Sequence, residues 1–119
     1  MIEFQIPGYG TLQLDNLVLD YNGTLALDGT LIQGVKDRLN RLSGMVSVWV
    51  VTADTFGTVR DSMEGLDVRV QVLHSDGNQS QQKAEIVRDL GPASTAAIGN
   101  GRNDGLMLQT AGLSIAVIG

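Results

Sequence analysis

Cysteine is absent from this sequence of 119 residues, so the chain forms no disulfide and offers no thiol as a nucleophile or metal ligand. Long apolar runs are also missing, since the longest, residues 48–53, is far short of the roughly 20 residues that span a bilayer. The N-terminus has no basic start and no continuous apolar run, unlike a signal peptide. These absences predict a cytoplasmic protein that does not enter a membrane.

Basic residues are scarce: 8 lysines and arginines stand against 13 acidic residues, giving a formal net charge of −5. This balance argues against a nucleic-acid-binding module, which would show a basic patch. Glycine, by contrast, is abundant, and the 15 glycines fall singly between apolar segments. That spacing indicates turns in a small, tightly connected fold, and the length predicts one domain.

Short apolar segments alternate with helical patterns through the middle of the chain. Strands are predicted at 17–20, 45–51, 68–73, 95–98 and 114–119, and helices at 34–42, 54–64, 83–90 and 106–111. Asp54 is the predicted N-cap of the second helix, and residues 75–82 are a predicted loop. This alternation is typical of a parallel sheet with helices on both faces. The predicted fold class is therefore α/β, a three-layer α/β/α Rossmann-like parallel sheet, preceded by an antiparallel β-hairpin within residues 1–14.

Ligands of such folds bind outside the carboxyl ends of the strands. The residues predicted at those ends are Asp20, Thr52, Ser75 or its neighbours, and Gly99 with Asn100. An acid that ends a buried strand, as Asp20 does, can bind a divalent cation or attack an electrophile. The alternative for this segment is a hairpin, because an Asn-Gly pair between apolar runs favours a two-residue turn. The Thr52 hydroxyl can donate to a phosphoryl oxygen, or it can simply close a strand.

Lys83, one of only two lysines, is predicted in the first turn of a helix capped by Ser80. A cation there opposes the helix dipole by roughly 0.3–1 kcal/mol, and a bound anion would reverse that penalty. The alternative is a solvated surface lysine. Further on, the run GNGRNDG resembles a dinucleotide-binding fingerprint, but Asp104 replaces its last glycine and would repel a pyrophosphate. Asp104 and the amide oxygen of Asn100 suit Mg²⁺ instead.

Four segments in this order resemble the motifs of the haloacid dehalogenase (HAD) superfamily of phosphohydrolases. They are LVLDYNGTL (17–25), VWVVT (48–52), Lys83 and GNGRNDGLML (99–108). The resemblance covers nearly the whole chain and implies that Asp20 is a nucleophile which forms an aspartyl-phosphate. It implies a catalytic set of Asp20, Asn22, Thr52 and Lys83, phosphate binding by Gly23, Thr24, Thr52, Ala53 and Lys83, and Mg²⁺ as cofactor on Asp20, the carbonyl of Asn22, Asn100 and Asp104.

Two positions depart from the family pattern. Asn22 stands where the phosphatases carry a second Asp as general acid and base, a function worth about 10²–10⁴ in rate, so low turnover is expected. Asn100 stands where the family has a metal-binding Asp, which predicts weaker Mg²⁺ binding. P-type ATPases of this superfamily also lack the second Asp, and DYNGTLALDG looks closer to their soluble, membrane-free relatives than to sugar phosphatases.

Each interval from Asp20 to Thr52 and from Thr52 to Lys83 is about the length of one strand–helix–strand unit. This predicts a single capless HAD-like domain over residues 1–119. Because the chain stops on a predicted strand at Gly119, we expect either a truncated C-terminus or cover from another subunit, which makes a homo-oligomer an expectation. The expected partner is a phosphorylated substrate of unspecified identity, with no nucleic acid and no membrane. The alternatives to a hydrolase are a degenerate HAD-like binding or regulatory module, and a nucleotide-binding domain without chemistry.

Overall fold

The computed structural model describes residues 1–27, 30–53, 57–74, 76–100 and 104–117. The strands are β1 (Ile2–Ile6), β2 (Gly10–Leu14), β3 (Asn16–Asp20), β4 (Ala26–Leu27), β5 (Thr30–Leu31), β6 (Ser47–Thr52), β7 (Arg69–Val72), β8 (Thr95–Gly99) and β9 (Leu113–Ala116). The helices are α1 (Val35–Leu42), α2 (Thr58–Ser62), α3 (Gln79–Leu90) and α4 (Gly105–Thr110), with a 3₁₀ turn at Pro92–Ser94.

A parallel sheet with the strand order β7-β6-β3-β8-β9 forms the centre of the described structure. Its strand β3 lies in the middle, and the chain proceeds outward first through β6 and β7 and then, on the other side, through β8 and β9. The order therefore reverses between β3 and β8, which is where ligands bind in open α/β sheets. Asp20, the last residue of β3, lies at this switch point and is paired with Val51 of β6.

Two apolar clusters cover opposite faces of the sheet, as the predicted fold class requires. Side chains alternate along β3: Leu17 and Leu19 pack with α1 and α2 on one face, while Val18 packs with α3 and α4 on the other. Because β3 is buried on both faces, it reads as a continuous apolar run. The prediction of a three-layer α/β/α fold is confirmed.

The predicted N-terminal hairpin is also confirmed, since β1 and β2 pair antiparallel with Ile6 opposite Gly10. The alternative of a hairpin at Asp20–Thr24 is wrong, because β3 is bonded in parallel to β6 and β8 on its two sides. A short antiparallel ribbon of β4 and β5 comes later. In the described residues, only this ribbon and α1 lie between β3 and β6, and only α2 lies between β6 and β7, so neither crossover carries a cap.

The start of α3 differs from prediction. This helix begins at Gln79 rather than Lys83, and its N-cap is Asn78, whose side chain accepts a hydrogen bond from the Gln81 N–H at 3.1 Å. The prediction of Ser80 as N-cap is therefore wrong, and Lys83 lies in the second turn, not the first. Asn and Ser are nearly equal as N-caps, so composition alone does not choose between them.

The second helix is also shorter than predicted. It begins after Gly57, whose own backbone is in the left-handed region, and it ends at Ser62. Asp54, its predicted N-cap, and Ser75, a predicted strand-end residue, lie outside the described residues. No helix in the described part of the chain is both long and apolar enough to cross a membrane.

Leu19 is 2% exposed in the central strand, whereas Leu27 of β4 is 53% exposed. Replacing Leu19 with Ala should lower the free energy of unfolding by roughly 2–5 kcal/mol, because it removes buried methyl groups and leaves a cavity. Leu27→Ala is the matched control and should change it by no more than about 0.5 kcal/mol. Urea denaturation measures both, and equal losses would contradict the assignment of the core.

Candidate active site

Asp20 is held at the end of β3 by the loop that follows it. The next residue, Tyr21, is buried; its N–H donates to the Val51 carbonyl at 3.1 Å, and its own carbonyl accepts from the N–H groups of Leu25 and Ala26 at 2.9 and 3.1 Å. These bonds turn the chain sharply away from the sheet. The Asp20 carboxylate is left at the switch point, and the side chain that carries it is only 11% exposed.

Lys83 reaches this carboxylate from α3. Its Nζ lies 3.1 Å from Asp20 Oδ1 and 2.6 Å from Asp104 Oδ1, and the ammonium donates a hydrogen bond to each. All three side chains are buried. Because an unpaired charge in such a place is strongly unfavourable, the lysine and the two carboxylates depend on one another. The surface-lysine alternative for Lys83 is wrong.

Burial shifts the titration of this group. It raises the pKa of the Asp20 carboxyl above its ordinary value; the Lys83 ammonium opposes the rise and the Asp104 carboxylate adds to it. Burial by itself would lower the pKa of Lys83, but the hydrogen bond to Asp104 and the charge of Asp20 outweigh it, and the pKa of Lys83 is raised. Lys83 therefore stays protonated at neutral pH, while Asp20 takes up a proton at a higher pH than an exposed aspartate.

Asp104 occupies the start of α4 and is completely buried. One carboxylate oxygen accepts from Lys83, and the other, Oδ2, accepts from the backbone N–H of Asn100 at 3.0 Å. Both oxygens are thus engaged by the protein. The structure gives Asp104 a role that the sequence did not predict: it anchors Lys83 and the loop after β8.

Gly99 allows the Asp104 carboxylate to lie close to the end of β8. A side chain there would collide with the Asp104 carboxylate, since an added Cβ would lie closer to Asp104 Oδ2 than non-bonded atoms approach. Sequence reasoning placed Gly99 at a strand end but assigned it no role. The available signal was a glycine that closes an otherwise buried strand, which often marks a close approach by another group.

Asn22 and Asn100 meet across the two loops that leave the switch point. The Asn100 side-chain N–H donates to the Asn22 carbonyl at 3.4 Å. Gly23 lies beside this contact with φ +79°, and an added Cβ there would lie only 2.5 Å from Asn100 Nδ2. Contacts therefore run from Asp20 through Lys83, Asp104 and Asn100 back to the loop of Asp20.

The remaining predicted phosphate-binding residues lie at the same edge of the sheet. Thr52 is 2% exposed and ends β6, one residue beyond the partner of Asp20, and exposed Ala53 follows it. Thr24 is buried in the loop after Asp20, and among the described residues its hydroxyl oxygen has no hydrogen-bond partner. An acceptor oxygen brought to this hydroxyl would relieve an unfavourable burial.

Carboxylates are few in this site. In the part of the chain that the structure describes, no three His, Asp or Glu side chains gather into a group that could hold a metal ion. Asn22 and Asn100 are joined through the Asn100 side-chain N–H, while Asp20 and Asp104 are joined through Lys83. The asparagine at position 100 contributes no negative charge, and weak Mg²⁺ binding stays a prediction.

The fold that these elements define is that of HAD family hydrolases without a cap. A protein from Streptomyces avermitilis MA-4680 described as an HAD family hydrolase is similar with a TM-score of 0.61 and 19% identity, over 87% of this chain and 67% of its own. A phospho-aspartyl intermediate analogue of phosphoserine phosphatase is similar with a TM-score of 0.65 and 16% identity, over 87% of this chain and 86% of its own.

Sequence similarity adds one relative. No protein-family model matches the chain. "Uncharacterized protein MJ0072" of Methanocaldococcus jannaschii is 44% identical over 39 residues, which are 33% of this chain and 89% of that protein. At this identity and coverage, the chain belongs to the same family as that short protein, whose name states no activity.

Removing the Lys83 cation would leave two buried carboxylates facing each other. We expect Lys83→Met to lower the free energy of unfolding by roughly 3–5 kcal/mol at neutral pH and to raise the pKa of Asp20 further. Because protonation of Asp20 relieves the repulsion, the deficit relative to the wild type should shrink as the pH falls through that raised pKa. Urea denaturation across pH and an NMR titration of the Asp20 carboxyl carbon measure the two effects.

Lys36→Met is the matched control, because Lys36 is the other lysine of the chain and lies exposed on α1. It should change the free energy of unfolding by about 0.5 kcal/mol or less at any pH tested. If both variants lost the same stability, the buried Lys83 bridge would not be the interaction that holds this site.

Proposed function

We propose that the chain is a phosphohydrolase that works through an aspartyl-phosphate on Asp20. An Asp20 oxygen attacks the phosphorus of the substrate, the bond from phosphorus to the leaving oxygen breaks, and the leaving group departs. Water then attacks the aspartyl-phosphate at phosphorus, releases inorganic phosphate and restores the carboxylate. The observation that carries this proposal is the buried Asp20 carboxylate at the switch point, hydrogen-bonded to a buried lysine.

The surrounding residues supply charge and hydrogen bonds. Lys83 offsets the repulsion between Asp20 and an anionic substrate and neutralises charge on the phosphoryl oxygens. Thr52 and Thr24 donate hydroxyl hydrogen bonds, and the backbone at Gly23 and Ala53 lines the same edge. Phosphoryl transfer mainly requires that the reacting groups are positioned and that the charge on the phosphoryl oxygens is stabilised. These residues would provide both.

A divalent cation fits this donor set as a weakly held cofactor. Asp20, the Asn22 carbonyl, the amide oxygen of Asn100 and Asp104 are the groups that would hold Mg²⁺. Each Asp104 oxygen accepts one hydrogen bond from the protein and keeps a further lone pair. When bound, Mg²⁺ would withdraw negative charge from the phosphoryl oxygens. Amide and carbonyl oxygens are ordinary ligands for hard cations, although they attract them less than carboxylates do.

Asn22 limits which substrates can react. Its amide hydrogen-bonds but cannot give a proton to a departing oxygen, so leaving groups must depart as stable anions. Phosphoanhydrides, acyl phosphates and aryl phosphates meet this condition, whereas alkyl phosphates do not. We therefore propose ATPase-like or phosphatase activity with low turnover, in which the aspartyl-phosphate persists.

The two asparagines also favour a second candidate function, a degenerate binding or regulatory module that keeps the fold without turnover. Asn22 removes the proton donor, and Asn100 removes a negative charge from the metal-binding set. A phosphorylation experiment separates the two functions, because a binding module would leave Asp20 unmodified.

Incubation with acetyl phosphate and Mg²⁺ should add one phosphoryl group to the wild type, detected by intact mass and mapped to Asp20 by peptide analysis. Asp20→Asn should abolish the adduct, since an amide oxygen is not a nucleophile at neutral pH. Asp89→Asn, on the exposed face of α3, is the matched control and should be labelled like the wild type. A wild type that stays unlabelled, and is not stabilised by beryllofluoride, would contradict the proposal and favour the binding module.

Asn22→Asp should restore a proton donor. We expect it to raise the hydrolysis rate of an alkyl phosphate by about 10²–10⁴-fold and that of a nitrophenyl phosphate much less, because the latter needs no protonation. The kcat/KM across a series of leaving groups measures this, because it reports the phosphorylation of Asp20 and not the slow hydrolysis of the aspartyl-phosphate. Its dependence on leaving-group pKa should be steep in the wild type and shallow in the variant. Asn40→Asp, exposed on α1, controls for the added charge. Equal slopes in all three proteins would argue against this role of position 22.

A further inference from the structure

The side-chain amide of Asn100 joins two loops of the candidate active site, the loop after β3 and the loop after β8. The Asn100 side chain is half-buried and donates its N–H to the Asn22 carbonyl at 3.4 Å. The backbone N–H of the same residue donates to Asp104. Asn100 thus ties the loop after β3 to the base of α4, across 78 residues of sequence.

The neighbouring backbone is shaped around this contact. Gly23 has φ +79°, and an added Cβ would lie 2.5 Å from Asn100 Nδ2, closer than atoms tolerate. A glycine is therefore required on one side of the contact for the amide to reach the carbonyl. This fit shows that the backbone at Gly23 lies close to the Asn100 amide.

A carboxylate at position 100 would behave differently. An ionised Asp accepts hydrogen bonds but donates none, so its oxygens would repel the Asn22 carbonyl oxygen. It would also place a third negative charge beside Asp20 and Asp104, which share the single ammonium of Lys83. Such loops would separate unless a cation lay between them, whereas an amide N–H attracts the carbonyl directly.

We infer that Asn100 is a positioning residue that holds the loop of Asp20 and the loop after β8 together without a divalent cation. Mg²⁺ is then needed for chemistry but not for the architecture of the site. The loop contact stands on the structure alone, and the inference rests on the proposed function only where it assigns Mg²⁺ to the chemistry. The chain's thermal stability should accordingly be almost independent of Mg²⁺.

Thermal unfolding of the full chain, in EDTA and in millimolar MgCl₂, tests this without any turnover measurement. The wild type should show a Mg²⁺-induced shift in Tm of less than about 1 °C. Asn100→Asp should unfold at least about 3 °C lower in EDTA and recover with Mg²⁺. Asn100→Ala, which lacks both the donor and a ligand oxygen, should unfold lower in both conditions. Asn40→Asp controls for the added charge and should show no shift with Mg²⁺.

NMR spectra of the same proteins report on the loops themselves. In EDTA, the amide signals of Asn22 and Gly23 should be sharp in the wild type, broadened in Asn100→Asp, and restored there by Mg²⁺. A purely structural defect would not respond to the metal. If Asn100→Asp does not fold in EDTA, the Mg²⁺ titration of the wild type and the Asn100→Ala comparison still decide the question.

The inference is overturned if the wild type needs Mg²⁺ to reach its full Tm, or if Asn100→Asp in EDTA matches the wild type in Tm and loop signals. Failure here is distinguishable from failure of the proposed function. An enzyme whose loops require Mg²⁺ would still phosphorylate Asp20, and an inactive module would still show the Asn100 contact.

Discussion

A single buried ammonium, Lys83 Nζ, lies between two buried carboxylates, and the candidate site is organised around it. The distances of 3.1 Å to Asp20 and 2.6 Å to Asp104 join the end of β3 to the start of α4 through a residue of α3. All three elements must therefore be placed correctly before the ammonium and both carboxylates are paired. The strand order brings these elements to one switch point.

Around this bridge, amides replace acids at the two positions where the HAD pattern carries carboxylates. Asn22 offers no proton to a leaving group, and Asn100 offers an N–H where the pattern has a metal ligand. Both changes lower the negative charge near Asp20. In the function proposed above, such a site suits phosphate esters and anhydrides whose leaving groups depart without proton transfer. In the inference drawn from Asn100, the two loops are held by hydrogen bonds and not by a shared cation.

The fold and the position of the site could be predicted from the sequence because both depend on local patterns. Asp20 and Thr52 end apolar runs, and parallel strands bring their carboxyl ends to one edge, so their proximity follows from the fold class. The burial of Lys83 could not be predicted in this way. The start of α3 has several polar residues able to cap it, and the hydrogen bond from the Gln81 N–H identifies Asn78 as the one that does. Only the long-range contacts of Lys83 with Asp20 and Asp104 show that this lysine points inward.

The hydrogen-bond partners of Asp104 could not be predicted from the sequence either. An acidic residue in a glycine-rich loop can bind a metal, repel a phosphate or form an ion pair. The spacing of residues in the sequence does not distinguish these three roles. The structure shows that Asp104 forms an ion pair with Lys83 and that its second oxygen accepts a hydrogen bond from the Asn100 N–H. The same holds for Gly99, whose missing side chain matters only because a carboxylate five positions along the chain folds back onto it.

The account depends most directly on Asp20 as the phosphoryl acceptor beside Lys83. A crystal structure of the chain with beryllofluoride and Mg²⁺ tests this in one measurement. The account predicts a beryllofluoride group bonded to an Asp20 oxygen, with Lys83 Nζ within hydrogen-bond distance of both that group and Asp104. An Asp20 carboxylate left bare, or a Lys83 side chain turned out to solvent, would contradict it.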